Sequence, residues 1–568
     1  MKKALLIASA ATVAGALILS ADWASSSGNP QRDGWQRAEY KLSKEAAAKG
    51  DIKLLFTSKL DTKAQRMGTP VLLGNIIGWK GFKALLFVGG GSDVYSIDFW
   101  TGRPYFKTPL AYAGDKPQQT AATAACPGGI TAGVSINGGS GGGRGAGGPG
   151  GGGGGGGRGA SGGRGGQQAA DAGAGGRGAS GPGRQGGVAP GGGGGGRGGG
   201  ANVWAVGADG MLQTLRQQDG DNKATVPVKF LPANSRASDL AVSNNVVYAA
   251  TQQECGGNPN ALYAIDLSTP EKKVTSFPTN GSGFAGSAGV AVSTDGNTVY
   301  GLIPDGNGSV AGKYGNTVVA LGSRDLAVKD YFTPSGTAPA PKKGSEVPGA
   351  TPAVFQWNGR DVVIAGGTDG RIYLLDSASL GGSDHHTPLA QSDVFAAADG
   401  TNGIFNAFAT WDDAPPPPPQ QGRGGAPAAP AAAGTRWIFA SISGASPLKF
   451  ANANGAAPTG SIVAFKVVDQ GGKPSLVAAW SSRDMVSPAA PTVTNGLVFA
   501  LSTGQGKTPA TNKNAVLYAL DSATGKEVWS SGTSVSSYAT GGLAIDASIV
   551  LFATHDSQVH AFGIPIIF

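Results

Sequence analysis

The chain of 568 residues carries a formal charge of +8, only 14% charged residues, 98 glycines and 35 prolines. This is the composition of strands, turns and low-complexity insertions, and it excludes a protein built from long amphipathic helices. A basic partner-binding body is excluded too, because the surplus sits in appendages: Lys2 and Lys3, six arginines against the single Asp171 in the count between residues 138 and 200, and Arg423.

In chain order, Lys2 and Lys3 precede an apolar run from Ala4 to Leu19, and the small pair Ser20-Ala21 precedes Asp22. A basic start, a short apolar run and small residues before a polar one mark a secretory signal, so 1-21 is expected to be cleaved after Ala21. The run is short for a bilayer span. No cysteine comes before Cys126, so a lipid-modified N-terminus is not expected. The mature protein is expected in the periplasm or outside the cell, as a monomer with no stable membrane span. Residues 22-50 read as an N-terminal extension.

Self-similarity appears next. Strand-like segments recur as VYSID (Val94 to Asp98), LQTLR (Leu212 to Arg216), LYAID (Leu262 to Asp266), VVALG (Val318 to Gly322), IYLLD (Ile372 to Asp376), IVAFK (Ile462 to Lys466), LYALD (Leu517 to Asp521) and VHAFG (Val559 to Gly563). Spacing is regular once two low-complexity inserts, a Gly/Arg-rich one at 138-200 and a Pro/Ala-rich one at 415-434, are removed. Each segment follows an apolar strand, and most are followed by another, such as RPYFKTPL, SLVAAWSS and KEVWSSG. Four strands per unit make the blade of a β-propeller. The last unit lacks its fourth strand, and IKLLFTSKL (Ile52 to Leu60) matches the missing pattern, closing the ring. The count is eight; seven is the alternative, because the second and fourth copies match weakly.

The best-formed copy runs from Val516 to Trp529, with Ala519, Asp521, Thr524, Gly525, Lys526 and Trp529 in order. It resembles the repeat of pyrroloquinoline-quinone (PQQ) type β-propellers, in which the closing tryptophan packs on the neighbouring blade. The first copy keeps Asp98, Thr101 and Gly102 but ends on Phe106. The resemblance covers roughly residues 50-568 outside the inserts. It implies an all-β, eight-bladed propeller of four-stranded antiparallel blades over 51-568, closed by residues 52-60. In PQQ enzymes the face carrying the second-to-third-strand and inter-blade links holds the cofactor funnel. Both inserts fall on the opposite face, while Cys126 and Cys255 fall on the funnel side. An oxidising compartment biases such a pair towards a disulfide, and a bridge and two separate thiols both stand as readings.

Other motifs read as structure. The Arg-Gly-Gly tracts, such as Arg164-Gly165-Gly166, have no aromatic residue near them to stack on bases, so nucleic acid is not an expected partner. Trp411-Asp412-Asp413 reads as a strand end, and Asp384-His385-His386 as a solvated loop without a third metal ligand. Asp295-Gly296-Asn297 and Asp305-Gly306-Asn307-Gly308 read as turns. Alcohol-oxidising PQQ enzymes use a vicinal Cys-Cys disulfide, a carboxylate and an Asn on Ca²⁺, and an Asp base. No residue here matches them, and no catalytic or metal residue is assigned. The leading expectation is an exported binding or scaffold module for protein or cell-envelope partners. The alternative is a dehydrogenase that uses PQQ and Ca²⁺ to oxidise alcohols or sugars.

Overall fold

The computed structural model describes residues 23–39, 41–62, 66–78, 81–110, 126, 130, 133–136, 202–279, 281, 283–305, 314–335, 348–414 and 434–565. Residues 1-21, read from sequence as a secretory signal, the 138-200 insert and all but one residue of the 415-434 insert lie outside them. Contacts group the chain into one body of 1–141 with 201–568, and a second, 142–200, which is wholly outside the described residues.

The first body is built of antiparallel four-stranded meanders. Unit 1 comprises Val71–Gly78, Gly81–Gly90, Asp93–Asp98 and Pro104–Pro109, and unit 2 Ser135–Ile136, Asn202–Val206, Met211–Arg216 and Val228–Lys229. Unit 3 comprises Ala241–Ser243, Val246–Gln252, Ala261–Asp266 and Val274–Pro278, with Arg236–Ala237 continuing its first strand. Unit 4 is Ala291–Val292, Thr298–Ile303, Thr317–Gly322 and Val328–Phe332. Unit 5 is Ala350–Trp357, Arg360–Gly366, Ile372–Asp376 and Ala390–Gln391. Unit 6 is Gly403–Asp412, Arg436–Ser443, Gly460–Gln470 and Lys473–Ser481. A single parallel pairing, Thr351 with Ala407, links units 5 and 6 into one sheet. Unit 7 is Thr492–Thr494, Leu497–Ser502, Val516–Asp521 and Glu527–Ser530. Unit 8 is Ala544–Asp546, Ile549–Ala553 and Gln558–Gly563, completed by Lys53–Lys59, which runs antiparallel to Gln558–Gly563.

The near-continuous apolar strands follow from burial on both faces. In unit 1, Leu85 and Phe87 enter the core shared with unit 2, whereas Leu86 and Val88 enter the core shared with units 7 and 8. The same two-residue alternation sends Val498 towards unit 6 and Phe499 towards unit 8. Further cores join units 2 with 3, 3 with 4, 4 with 5 and 5 with 6. The cores therefore connect the units in a closed cycle.

Aromatic rings seal several of these junctions over a glycine turn. In unit 7, Gly525 sits at φ +71° beneath the ring of Trp480 from unit 6, whose indole N–H donates to the Ser522 carbonyl (2.8 Å). Phe106 of unit 1 covers Gly220 of unit 2, and Phe56 of the closing strand covers Gly102 of unit 1. The hydroxyls of Thr108 and Ser58, two residues on, donate to the carbonyls of the same glycines. Trp529 packs edge-on against Phe562 of unit 8 at 5.8 Å. Phenylalanine thus serves at two junctions where the sequence shows no docking tryptophan.

A Cβ on Gly525 would overlap the Trp480 ring, whereas Gly50, also at φ +71°, faces open space. Gly525→Ala is expected to cost at least about 3 kcal/mol, and Gly50→Ala about 1–2 kcal/mol, compared by denaturant midpoints. A second test concerns pH. His560, buried between Thr57 of the closing strand and Thr554, has its pKa pushed below 6.5 by burial, with Asp556 opposing. The unfolded chain then binds the extra proton, so stability is complete above pH 6.5 and is lost as pH falls below it. His560→Gln is expected to flatten that slope in unfolding midpoints measured between pH 7.5 and 5.

Candidate functional site

Residues 22-50 read from sequence as an extension ahead of the propeller, and within that stretch residues from 23–39 and 41–50 are bonded to the strands. The segment opens with a tight turn: Gly28 N–H donates to Ser25 C=O and Ala24 N–H to Gly28 C=O, both at 2.9 Å. Gly28, at φ +88°, lies against the fully buried Trp23 ring. Asp33 fixes the next stretch by accepting from Asn29 (2.9 Å), the Trp35 N–H (3.1 Å) and Arg37 (2.6 Å).

From there the strand edges are met in sequence. Leu72 N–H of unit 1 donates to Trp23 C=O (2.9 Å), Ile136 of unit 2 to Ala24 (2.9 Å), Val292 of unit 4 to Pro30 (2.8 Å), Val354 of unit 5 to Gln31 (2.9 Å) and Thr410 of unit 6 to Asp33 (2.8 Å). In unit 7, Val493 N–H donates to Gly34 C=O (2.9 Å) and Val493 C=O accepts from Gln36 N–H (3.0 Å). In unit 8, the Gln36 side chain donates to Ile545 C=O (3.0 Å), and Glu39 accepts from the backbone N–H and the hydroxyl of Ser548. A segment that reaches the first strand of unit after unit lies where those strands converge, on the axis of the cycle. We refer to it as the strap.

Unit 3 is reached by Arg32. Its guanidinium is fully buried and donates to five carbonyls: Val290 (3.1 Å) and Ala288 (2.9 Å) of unit 4, Asp239 (3.3 Å) and Leu240 (3.2 Å) of unit 3, and Ser26 of the strap (2.6 Å). Burial lowers its pKa to about 10 despite the nearby Asp239 carboxylate, which leaves it charged at neutral pH. Asp239 itself accepts the Thr69 hydroxyl (3.2 Å).

The repeat residues form turns. Asp521 accepts from the N–H groups of Ala523 and Thr524 (both 2.9 Å) and the Thr524 hydroxyl (3.1 Å), and pairs with Lys44 (2.8 Å). Asp98 does the same with Trp100, Thr101 and Lys83. In both, burial pushes the carboxyl pKa up, and the lysine and turn donors outweigh it, for a net lowering. Ala519 is buried opposite Trp529. Cys126 and Cys255 are joined by a disulfide, with Cα atoms 5.6 Å apart.

The remaining motifs are dispersed. Asp412 pairs with Arg436 (3.2 Å), and Asp413 accepts the Trp437 indole N–H (3.2 Å). His385 departs from a solvated loop residue: it stacks on Tyr331 with centroids 4.0 Å apart and contacts Asp330 (3.0 Å), tying unit 5 to the outer strand of unit 4. Asp295 accepts from Ser293 and Asn297 in a turn. Residues Gly306 to Gly308 lie outside the described residues.

No protein-family model matches the chain, and no curated protein matches its sequence. Solved structures do. A quinohemoprotein alcohol dehydrogenase from Pseudomonas putida HK5 superposes with a TM-score of 0.53 at 13% identity, over 96% of this chain and 81% of that one. A europium-containing methanol dehydrogenase gives 0.51 at 11% identity, over 95% and 89%. The fold is an all-β propeller, shared with these two dehydrogenases. BamB from Moraxella catarrhalis also matches, at 13% identity over 64% of this chain and 93% of that one, with a TM-score of only 0.34.

Carboxylates near the convergence of the strands that a site for PQQ held with Ca²⁺ could draw on are already engaged. Such an ion takes six to eight oxygens, carboxylates among them. The axial carboxylates of Asp33, Glu39 and Asp239 each serve hydrogen bonds that hold the strap or the strand ends. The two cysteines are bonded to each other across a sequence separation of 129, not to a neighbour. Non-reducing peptide mapping of the purified protein is expected to recover residues 126 and 255 in one linked pair, and Cys255→Ser to lower stability by about 2–5 kcal/mol.

Proposed function

We propose that the protein is an exported β-propeller of the PQQ-repeat type that acts as a binding or scaffold module for protein or cell-envelope partners, in the periplasm or outside the cell. The eight meanders are read as the eight blades of one ring. The observation that carries this reading is the strap: the convergence of the first strands, where a ring offers a central site, is occupied by the chain's own residues 23 to 39. The Asp-Thr-Gly turns and aromatic junctions account for the repeat residues as architecture, so none is left over for chemistry.

The fold likeness to two dehydrogenases favours the alternative, oxidation of an alcohol or sugar through PQQ and Ca²⁺. Fold alone supports many activities, and the donor set on the axis speaks against this one. Adding PQQ and Ca²⁺ to purified protein, with quinone absorbance and dye reduction followed over a panel of alcohols and sugars, is expected to give neither stoichiometric binding nor turnover. Turnover would establish the dehydrogenase instead.

A further inference from the structure

We propose that the axis of the ring is a peptide-binding site whose resident ligand is the strap, held non-covalently and read by a carbonyl cage for one arginine. The proposal deepens the binding-module reading and rests on it. Three observations carry it. First, the strap is bound as a peptide ligand is bound: its carbonyls accept the inner-edge N–H groups of Leu72, Ile136, Val292, Val354, Thr410 and Val493, one from each of six units. This is strand-edge recognition, blind to sequence along the backbone. Second, specificity is concentrated in Arg32. Four of its five carbonyl partners belong to the ring, and no acidic side chain is paired with it in a salt bridge among the described residues. A planar fork with several donors suits such a cage, and a lysine or a neutral side chain would leave carbonyls unpaired. Third, the tether is separable from the ligand. Between the strap and the closing strand Lys53–Lys59, residues Ala48, Lys49 and Asp51 are exposed, and a Cβ added at Gly50 would meet nothing within 4 Å.

The ligand class follows from these contacts: an extended segment with glycine at two tight positions, a buried tryptophan and an arginine placed to enter the cage as Arg32 does, the strap's second arginine, Arg37, pairing with Asp33. The tight turn requires the positive φ of Ser27 (55°) and Gly28 (88°). Gly34 has the Ala409 side chain so near that a Cβ would lie 2.8 Å from it. Bulky residues at either glycine would be refused.

The test begins with the full chain carrying a specific protease site between Ala48 and Asp51, cut after folding. The fragment of residues 22 to 49 is expected to stay with the ring in gel filtration without denaturant. It is then expected to exchange for a fluorescent synthetic peptide of the same sequence, with an Arg32→Ala peptide taken up on the order of 100-fold more weakly. Loss of the fragment on cutting while the ring keeps its circular dichroism and elution would overturn the proposal. So would a fragment that never exchanges short of unfolding, or equal uptake of the Arg32→Ala peptide. Should the inserted site prevent folding, uncut chain bearing Arg32→Ala is expected to bind the labelled wild-type peptide where the natural chain does not, and equal behaviour of the two would sink the idea. Failure here leaves the PQQ titration, and with it the scaffold reading, unaffected.

Discussion

The inner edge of each first strand presents backbone N–H and C=O groups that have no further strand to pair with. Buried polar backbone left without a partner costs on the order of 1–3 kcal/mol per group, so the convergence of the strands must hold water or protein. Here it holds protein. The strap supplies acceptors to one unit after another, and Arg32 collects the carbonyls that strand geometry leaves pointing inward at units 3 and 4. The rest of the body depends on this arrangement, because the same first strands begin every meander and their opposite edges carry the ladders outward.

Away from the axis the logic changes from hydrogen bonds to shape. Each sheet is covered on both faces by its neighbours, so successive residues of one strand, such as Leu85 and Leu86, serve different cores. At the outer ends a glycine lets an aromatic ring from the previous unit lie flat on a turn. Trp480, Phe106 and Phe56 do this with different rings on similar turns. The tight fit defines the angle between neighbours, and the hydroxyls of Ser58 and Thr108 fix its register by donating to the turn carbonyl.

How much of this the sequence discloses depends on which interaction carries it. The third strands are legible residue by residue: VYSID, LYAID and LYALD announce themselves by alternation and by a turn on either side, and they occupy Asp93–Asp98, Ala261–Asp266 and Val516–Asp521. The closing strand is legible for the same reason. The strap is not, because its contacts are made mainly by main-chain atoms, which every residue possesses, and it repeats nothing. The two side chains that could have hinted at it, Trp23 and Arg32, are indistinguishable in sequence from surface residues. The docking of Phe56 escapes notice for another reason: it and its glycine, Gly102, belong to different units, so no local pattern joins them. His385 illustrates the same limit, since its stacking partner Tyr331 sits one unit earlier.

The pairing of Lys53–Lys59 with Gln558–Gly563 also sets a constraint in time. Thr57 and His560 face each other across a separation of 503 residues, and contacts so distant along the chain form late, because the loop must close before they return any free energy. The strap and its closing strand are synthesised first and can be seated only when unit 8 exists. Until then Trp23, the apolar inner strands and an unpaired sheet edge are open to the surroundings, which makes the interval between the start and the end of synthesis the period in which this chain is most vulnerable to aggregation.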